Sequence, residues 1–258
     1  MSGWRQLLRP TAKPTRGKLR GNPEGRYEMS REALDRAGRA PMAGASGVVV
    51  VAHGGRSVSN APVTPGQVAV VRMVPVAWAI GRALHGSGIV VCRPRFQLRG
   101  WNGELASPVH DMNQILDRIG ERFGPVPVVL VGHSMGARAV LRAAGHPAVT
   151  AVAGLTPWLP AGEPVDQLAG RRVLLAHGTA DHITRPAETW AYAERARLVT
   201  DVAVIEVRGS EHAMLRRAGL WHRMAADFCR GSFGMPVESG AVAAAFQAAD
   251  GNRARTVL

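Results

Sequence analysis

Between Gly47 and Cys229 the apolar positions alternate between two textures. One is the short, unbroken apolar run rich in β-branched residues: "GVVVVAH", "GIVVCRPRF", "VPVVLVGHS", "VTAVAGL", "RRVLLAHG" and "DVAVIEV". None shows the period-two polarity of a strand with one wet face, so they predict parallel strands covered on both sides. The other texture has helical spacing: "MVPVAWAIGRALHG", "SPVHDMNQILDRIGERFG" with Ser107 as its cap, Met135 to about Ala144, "PAETWAYAERARL" with Pro186 in its first turn, and Arg216 to Cys229. Strand and helix alternate, which predicts right-handed βαβ units. The fold class is α/β, with a mostly parallel sheet of about six strands and helices on both faces.

The flanks break this pattern. Residues 1–46 include the basic, Pro/Gly-rich text "RPTAKPTRGKLRGNPEGR", with almost nothing apolar to bury. Such text cannot offset its ordering entropy and predicts a flexible arm, with at most a short helix around Ser30 to Ala37. The catalytic candidate domain then spans 47–231. A tail follows over 232–258, where "SGAVAAAFQAADGNRARTVL" offers a short helix before fraying. Trp4 to Leu8 is too short and too polar for a secretory signal, and no run approaches the roughly 18 apolar residues of a membrane span. A cytoplasmic protein with no membrane partner is expected. Cys92 and Cys229 are too few for a disulfide framework and read as reduced, buried thiols.

Charge changes the picture less than its size suggests. A formal +13, from 32 basic and 19 acidic residues, invites a polyanion. Yet arginines are scattered from Arg56 to Arg216, with no basic recognition helix and no aromatic RNA-binding motif. Adhesion to polyanions at low salt is expected, but no specific nucleic-acid partner.

Chemistry gathers at the strand ends. In sheets of this kind ligands bind beyond the carboxyl ends of the strands. The first run is followed by His53-Gly54-Gly55-Arg56, the third by Gly132-His133-Ser134-Met135-Gly136, the fifth by His177 to Asp181, and the sixth by Gly209 to His212. A candidate nucleophile, a carboxylate and an imidazole therefore stand on three ends of one sheet edge.

In these residues the chain resembles the α/β-hydrolases, serine hydrolases of the nucleophile-elbow type. Gly132, Ser134 and Gly136 match G-x-S-x-G between a strand and a helix. Ser134, Asp181 and His212 match the order nucleophile, acid, base. The resemblance spans Gly47 to Cys229 and implies an esterase-like enzyme acting on a small-molecule ester of small to medium acyl groups. It implies an acyl-enzyme route, no cofactor and no metal. Ser134 would attack, His212 would take its proton, and Asp181 would hold the imidazole's tautomer. The oxyanion donors implied are the amides of Met135 and Gly55, with Arg56 the alternative to Gly55. Thioesterases, lactonases and peptidases use the same triad; silent binding proteins on this scaffold commonly lose a member, and none is lost here.

The remaining candidates have competing readings. "TPWLPAGEPVDQLAG" is too short to hold a helical cap domain, so an open site is expected. Trp158 and Leu159 in it, with Phe96, Leu98 and Trp101, either line an acyl pocket or pack the loops. His53 and His133 read as loop-orienting residues. His177 and His182 flank Asp181 as a metal set would, but nothing else has ligand spacing, and loop packing is favoured. His222 lies in helical text, and Glu211, adjacent to His212, directs its side chain elsewhere.

Overall fold

The computed structural model describes residues 44–237, 240–250 and 255–258. The arm expected over 1–46 lies almost wholly outside them, as does the short helix expected near Ser30.

Each apolar run forms a strand: β1 Gly47–Ala52, β2 Ile89–Cys92, β3 Val128–His133, β4 Val149–Leu155, β5 Arg172–Gly178 and β6 Val202–Val207. A seventh, β7 Thr256–Val257, joins the edge. The order is β2-β1-β3-β4-β5-β6-β7 and every pairing is parallel. The absence of polar alternation has a direct cause. Val48 and Val50 enter one core while Val49 and Val51 enter the other, on the opposite face. The first core holds α2 Ser107–Phe123, α3 Met135–Ala143 and α4 Pro186–Ala196; the second holds α1 Val68–Ala83, α5 Ala218–Ser232 and α6 Ala241–Asp250.

This order also locates the site. From β1 the chain moves outward to β2, then returns across β1 to β3 and proceeds the other way. The loops leaving β1 and β3 therefore diverge at a switch point, which opens a crevice at the carboxyl edge. Between β4 and β5 lies only a loop with one short 3₁₀ turn, Asp166–Leu168, and no cap domain. No helix among the described residues is long and apolar enough to cross a membrane.

Three details differ from the sequence reading. First, α1 begins at Val68 rather than near Met73, so Pro75 falls inside it. Its opening is β-branched and a poor helix former by propensity, but Val70 and Met73 are buried, and tertiary packing overrides the local preference. Second, Ser107 is the first residue of α2, not its cap. Ala106 holds the cap position with φ 43°, and the Ser107 hydroxyl accepts from Asn102 Nδ2 at 3.4 Å. Third, the tail does more than fray. Helix α6 buries Val242, Ala245 and Phe246, with Phe246 stacked on Phe228 of α5 at 6.4 Å. Beyond it, β7 pairs with β6, and the Leu258 amide donates to the Glu206 carbonyl at 2.9 Å. A strand of two residues carries no periodicity to read.

Cys92 and Cys229 are free and buried. Burial pushes the Cys92 thiol up to about 12 and raises that of Cys229 as well, so neither is poised as a thiolate.

Candidate active site

Strand β3 runs straight into α3 through a single residue, Ser134, whose backbone sits at φ 55° and ψ −121°. That conformation is uncommon for a residue with a side chain and persists only when the surroundings over-determine it. Here the Ser134 amide donates to the Leu155 carbonyl at 3.1 Å, and its carbonyl accepts from Trp158 and Arg138, both at 3.2 Å. The flanking glycines are steric necessities. A side chain at Gly132 would strike the backbone of Gly136 and Ala137, and one at Gly136 would strike the His53 carbonyl. Removing those side chains lets the helix start directly beneath the hydroxyl.

His212 faces that hydroxyl. Its Nε2 lies 2.9 Å from Ser134 Oγ, and its Nδ1 lies 2.7 Å from Asp181 Oδ2. The loop carrying His212 is braced from below: buried Trp221 donates Nε1–H to Ser210 Oγ at 2.8 Å, and Ser210 Oγ donates to the Arg216 carbonyl at 3.2 Å. The Asp181 and His212 loops touch at Gly178, where any side chain would overlap the Ser210 carbonyl.

Asp181 is 6% exposed and densely solvated by protein. Oδ1 accepts from the amides of Ile183 (2.8 Å) and Thr184 (3.0 Å). Oδ2 accepts from Thr184 Oγ1 (2.9 Å) and His177 Nε2 (3.1 Å), in addition to His212. Burial by itself would raise this carboxyl, but the donors outweigh it and hold it well below the usual carboxylate range. An ionised acid beside Nδ1 fixes the Nδ1–H tautomer of His212 and leaves Nε2 free to accept a proton from Ser134.

Two further histidines hold the loops in place. Burial lowers His53 to about 4; it accepts from the Phe96 amide at Nε2 (3.1 Å) and donates from Nδ1 to the Gly54 carbonyl (2.7 Å). Burial, then the charge of His212, lowers His133 to about 3; its Nε2 donates to the His212 carbonyl at 2.9 Å. Both rings are neutral spacers.

The amide of Met135 opens α3 beneath Ser134, at the positive end of the helix dipole. Of the two residues considered for the second donor, Arg56 is occupied: its amide donates to the Arg99 carbonyl at 2.8 Å. Gly55 lines the same cleft as Ser134 and Met135, and a side chain on it would collide with Met135 and the Arg99 carbonyl.

That cleft measures about 460 Å³ and is lined by Gly55, Val58, Met135, Trp158, Ile183 and Thr184 around Ser134, with Arg56 and Ser57 at its edge. The three pocket candidates separate. Trp158 lines the cleft; Trp101 (3% exposed) and Leu159 (2% exposed) are buried in the adjoining core, where they pack loops. Phe96 is buried against the His53 ring at 4.8 Å. His222 faces a different groove, between α1 and α5. Among the described residues no group of His, Cys, Asp and Glu has metal-holding geometry, and His177 instead bridges Asp181 to Thr189 Oγ1 (2.7 Å). Sequence reading missed Thr184. Its signal was available, since an Asp commonly accepts from amides two and three residues on, which draws the third residue's hydroxyl to it.

No protein-family model matches the sequence, and no curated protein matches it significantly. Solved structures do match in fold. Est1E from Butyrivibrio proteoclasticus is 13% identical, with a TM-score of 0.54, covering 75% of this chain and 90% of its own. The esterase domain of a Rhodothermus marinus protein is 19% identical, with a TM-score of 0.53 and coverage of 76% and 88%. An α/β serine hydrolase without lid from Xanthomonas campestris is 19% identical, with a TM-score of 0.52 and coverage of 77% and 87%. Parallel sheet, switch-point crevice and these likenesses agree: the chain has the α/β-hydrolase fold, without a cap domain among the described residues.

Proposed function

We propose that the chain is a serine hydrolase cleaving carboxylic esters of small to medium acyl groups. The observation that carries this reading is the unbroken series Ser134 Oγ, His212, Asp181 at 2.9 and 2.7 Å, whose serine lines an open cleft. Ser134 Oγ attacks the ester carbonyl as His212 Nε2 takes its proton. The carbonyl oxygen gains a negative charge, which the amides of Met135 and Gly55 receive in a site partly shielded from water. His212 then passes the proton to the departing alcohol. Water repeats the sequence on the acyl-enzyme, with His212 again accepting and returning one proton. Asp181 stays ionised throughout and stabilises the transient imidazolium.

Labelling by a fluorophosphonate probe, lost in Ser134→Ala, tests the nucleophile. A panel of 4-nitrophenyl esters of increasing acyl length then tests the substrate class. A chain that neither labels nor turns over any ester of the panel would be a scaffold with idle geometry.

A further inference from the structure

Arg56 enters the sequence reading as a possible amide donor, and the fold removes that role. Its amide donates to Arg99 at 2.8 Å, and its carbonyl accepts from the Trp101 amide at 2.9 Å. The backbone is thus fixed on both sides, in a one-residue parallel bridge with Gly100. Among the described residues the side chain has no hydrogen-bond or ion-pair partner. It is exposed, and among the described residues it is the one charged member of a cleft lining that also includes Ser57 and Ser134.

Among the described residues, no carboxylate of the site answers that charge. Asp181 is 6% exposed and both of its oxygens are filled by donors. Glu211 turns its Oε1 onto the amides of Leu215 and Arg216 at 2.7 and 3.2 Å. Exposed Arg185, Arg216 and Arg217 follow the same strand ends, on a chain of formal charge +13. A chain of net positive charge draws anions toward its surface, and a guanidinium pairs with a carboxylate through two parallel N–H donors.

Topology sets which part of an ester meets Arg56. Arg56 leaves β1 and His212 leaves β6, and in the sheet these strands lie on opposite sides of β3, which carries Ser134. The departing alcohol must lie by His212, which protonates it, so the carbonyl oxygen, received at Gly55, and the acyl part share the side of the site that Arg56 borders.

We infer that Arg56 is an anion subsite, and that the preferred substrate carries a carboxylate on its acyl part. The word ester here rests on the proposed hydrolase function; the anion subsite does not.

The test compares the 4-nitrophenyl monoester of glutaric acid with the uncharged 4-nitrophenyl valerate, in wild type and Arg56→Gln. The ratio of kcat/KM, anionic over neutral, falls about tenfold in Arg56→Gln at low salt, the size expected of a solvent-exposed charged hydrogen bond. Raising the ionic strength erodes the same ratio in wild type. An unchanged ratio in Arg56→Gln overturns the inference whatever the absolute rates. Thermal shift by glutarate gives a reading independent of turnover. If neither ester is cleaved, stabilisation of wild type that is lost in Arg56→Gln upholds the subsite while the hydrolase reading fails; equal shifts, or none, overturn the subsite.

Discussion

His177 and His212 converge on one oxygen atom, with ring nitrogens 3.1 and 2.7 Å from Asp181 Oδ2. His177 is fully buried, its other nitrogen lies 2.7 Å from Thr189 Oγ1, and its ring meets Trp190 edge-on at 6.0 Å. It does not line the cleft, though its Nε2 also lies 3.3 Å from the Thr184 hydroxyl, so it acts through the acid and the hydroxyl beside it. By holding Oδ2 from behind it fixes the direction in which Asp181 presents charge to His212. His177→Leu should lower kcat about tenfold with little change in KM, by analogy with other lost charged hydrogen bonds. His177→Gln, which restores a donor, should recover part of the loss. Equal kcat in all three would reduce His177 to packing.

The triad residues should behave as a unit. Ser134→Ala and His212→Ala should each cut ester turnover by roughly 10⁴-fold or more, and Asp181→Asn somewhat less. His222→Ala, in its separate groove, should be nearly silent. Full activity of His212→Ala combined with collapse at His222 would reassign the base.

The oxyanion loop gives a steric prediction. A methyl group at Gly55 would overlap Met135 and the Arg99 carbonyl, displacing the amide proposed as the second oxyanion donor. Gly55→Ala should therefore lower kcat by about 10²-fold, the usual cost of losing one oxyanion donor, while fluorophosphonate labelling slows in parallel. Unaltered kcat would move the second donor elsewhere.

How much of this was legible in sequence depended on how far apart the partners lie. Strands β1 to β6 announce themselves because each is buried on both faces, which demands apolar text without interruption. Ser134, Asp181 and His212 are legible because strand ends share one edge, so order along the chain suffices. Trp158 and Leu159 show the limit. They are neighbours with similar character, yet one lines the cleft and the other is buried, a difference of loop path that no composition reveals. The double use of Asp181 Oδ2 was equally hidden. His177 reads as a loop or metal histidine until β5 and α4 bring it between Asp181 and Thr189.

Acid should destabilise the chain well above the carboxylate range. His53 and His133 are held neutral, at about 4 and about 3, against about 6.5 when unfolded. Between those values the unfolded state binds protons that the folded state refuses, so stability falls as pH drops below about 6.5. Each such proton is worth about 1.4 kcal/mol per pH unit, giving a slope of about 2–3 kcal/mol per unit between pH 6 and 5 for the pair. His222, lowered by partial burial, adds to this trend; Asp111, raised by burial, opposes it at the low end. Asp181, held low, contributes stability that disappears only once pH falls below about 4, in a separate window. Urea unfolding at pH 7.5, 6.5, 5.5 and 5.0 measures the slope. A flat profile would mean that both rings accept protons in the folded chain.

Acyl chain length should be limited by what covers it. The loop from β4 to β5 brings Trp158 to the cleft but no helix over it, so a long chain would leave the protein after its first few carbons. Each further CH₂ is worth about 0.8 kcal/mol only where protein buries it. Trp158 is itself firmly placed. The Arg138 guanidinium packs over both its ring and that of Trp101, which meet edge-on, 4.6 and 3.8 Å from the two centroids, and pairs with buried Glu163. A wall so braced contacts a short chain without rearrangement, and no lid must open before substrate enters. Among uncharged esters, kcat/KM should therefore peak at acyl chains of about two to six carbons and fall beyond. Trp158→Ala keeps its backbone donation to Ser134 but loses the wall, so it should raise KM more than it lowers kcat. Rates that climb steadily toward long-chain esters, or jump above the substrate's micelle concentration, would place a mobile cover over this cleft and overturn the open-site reading.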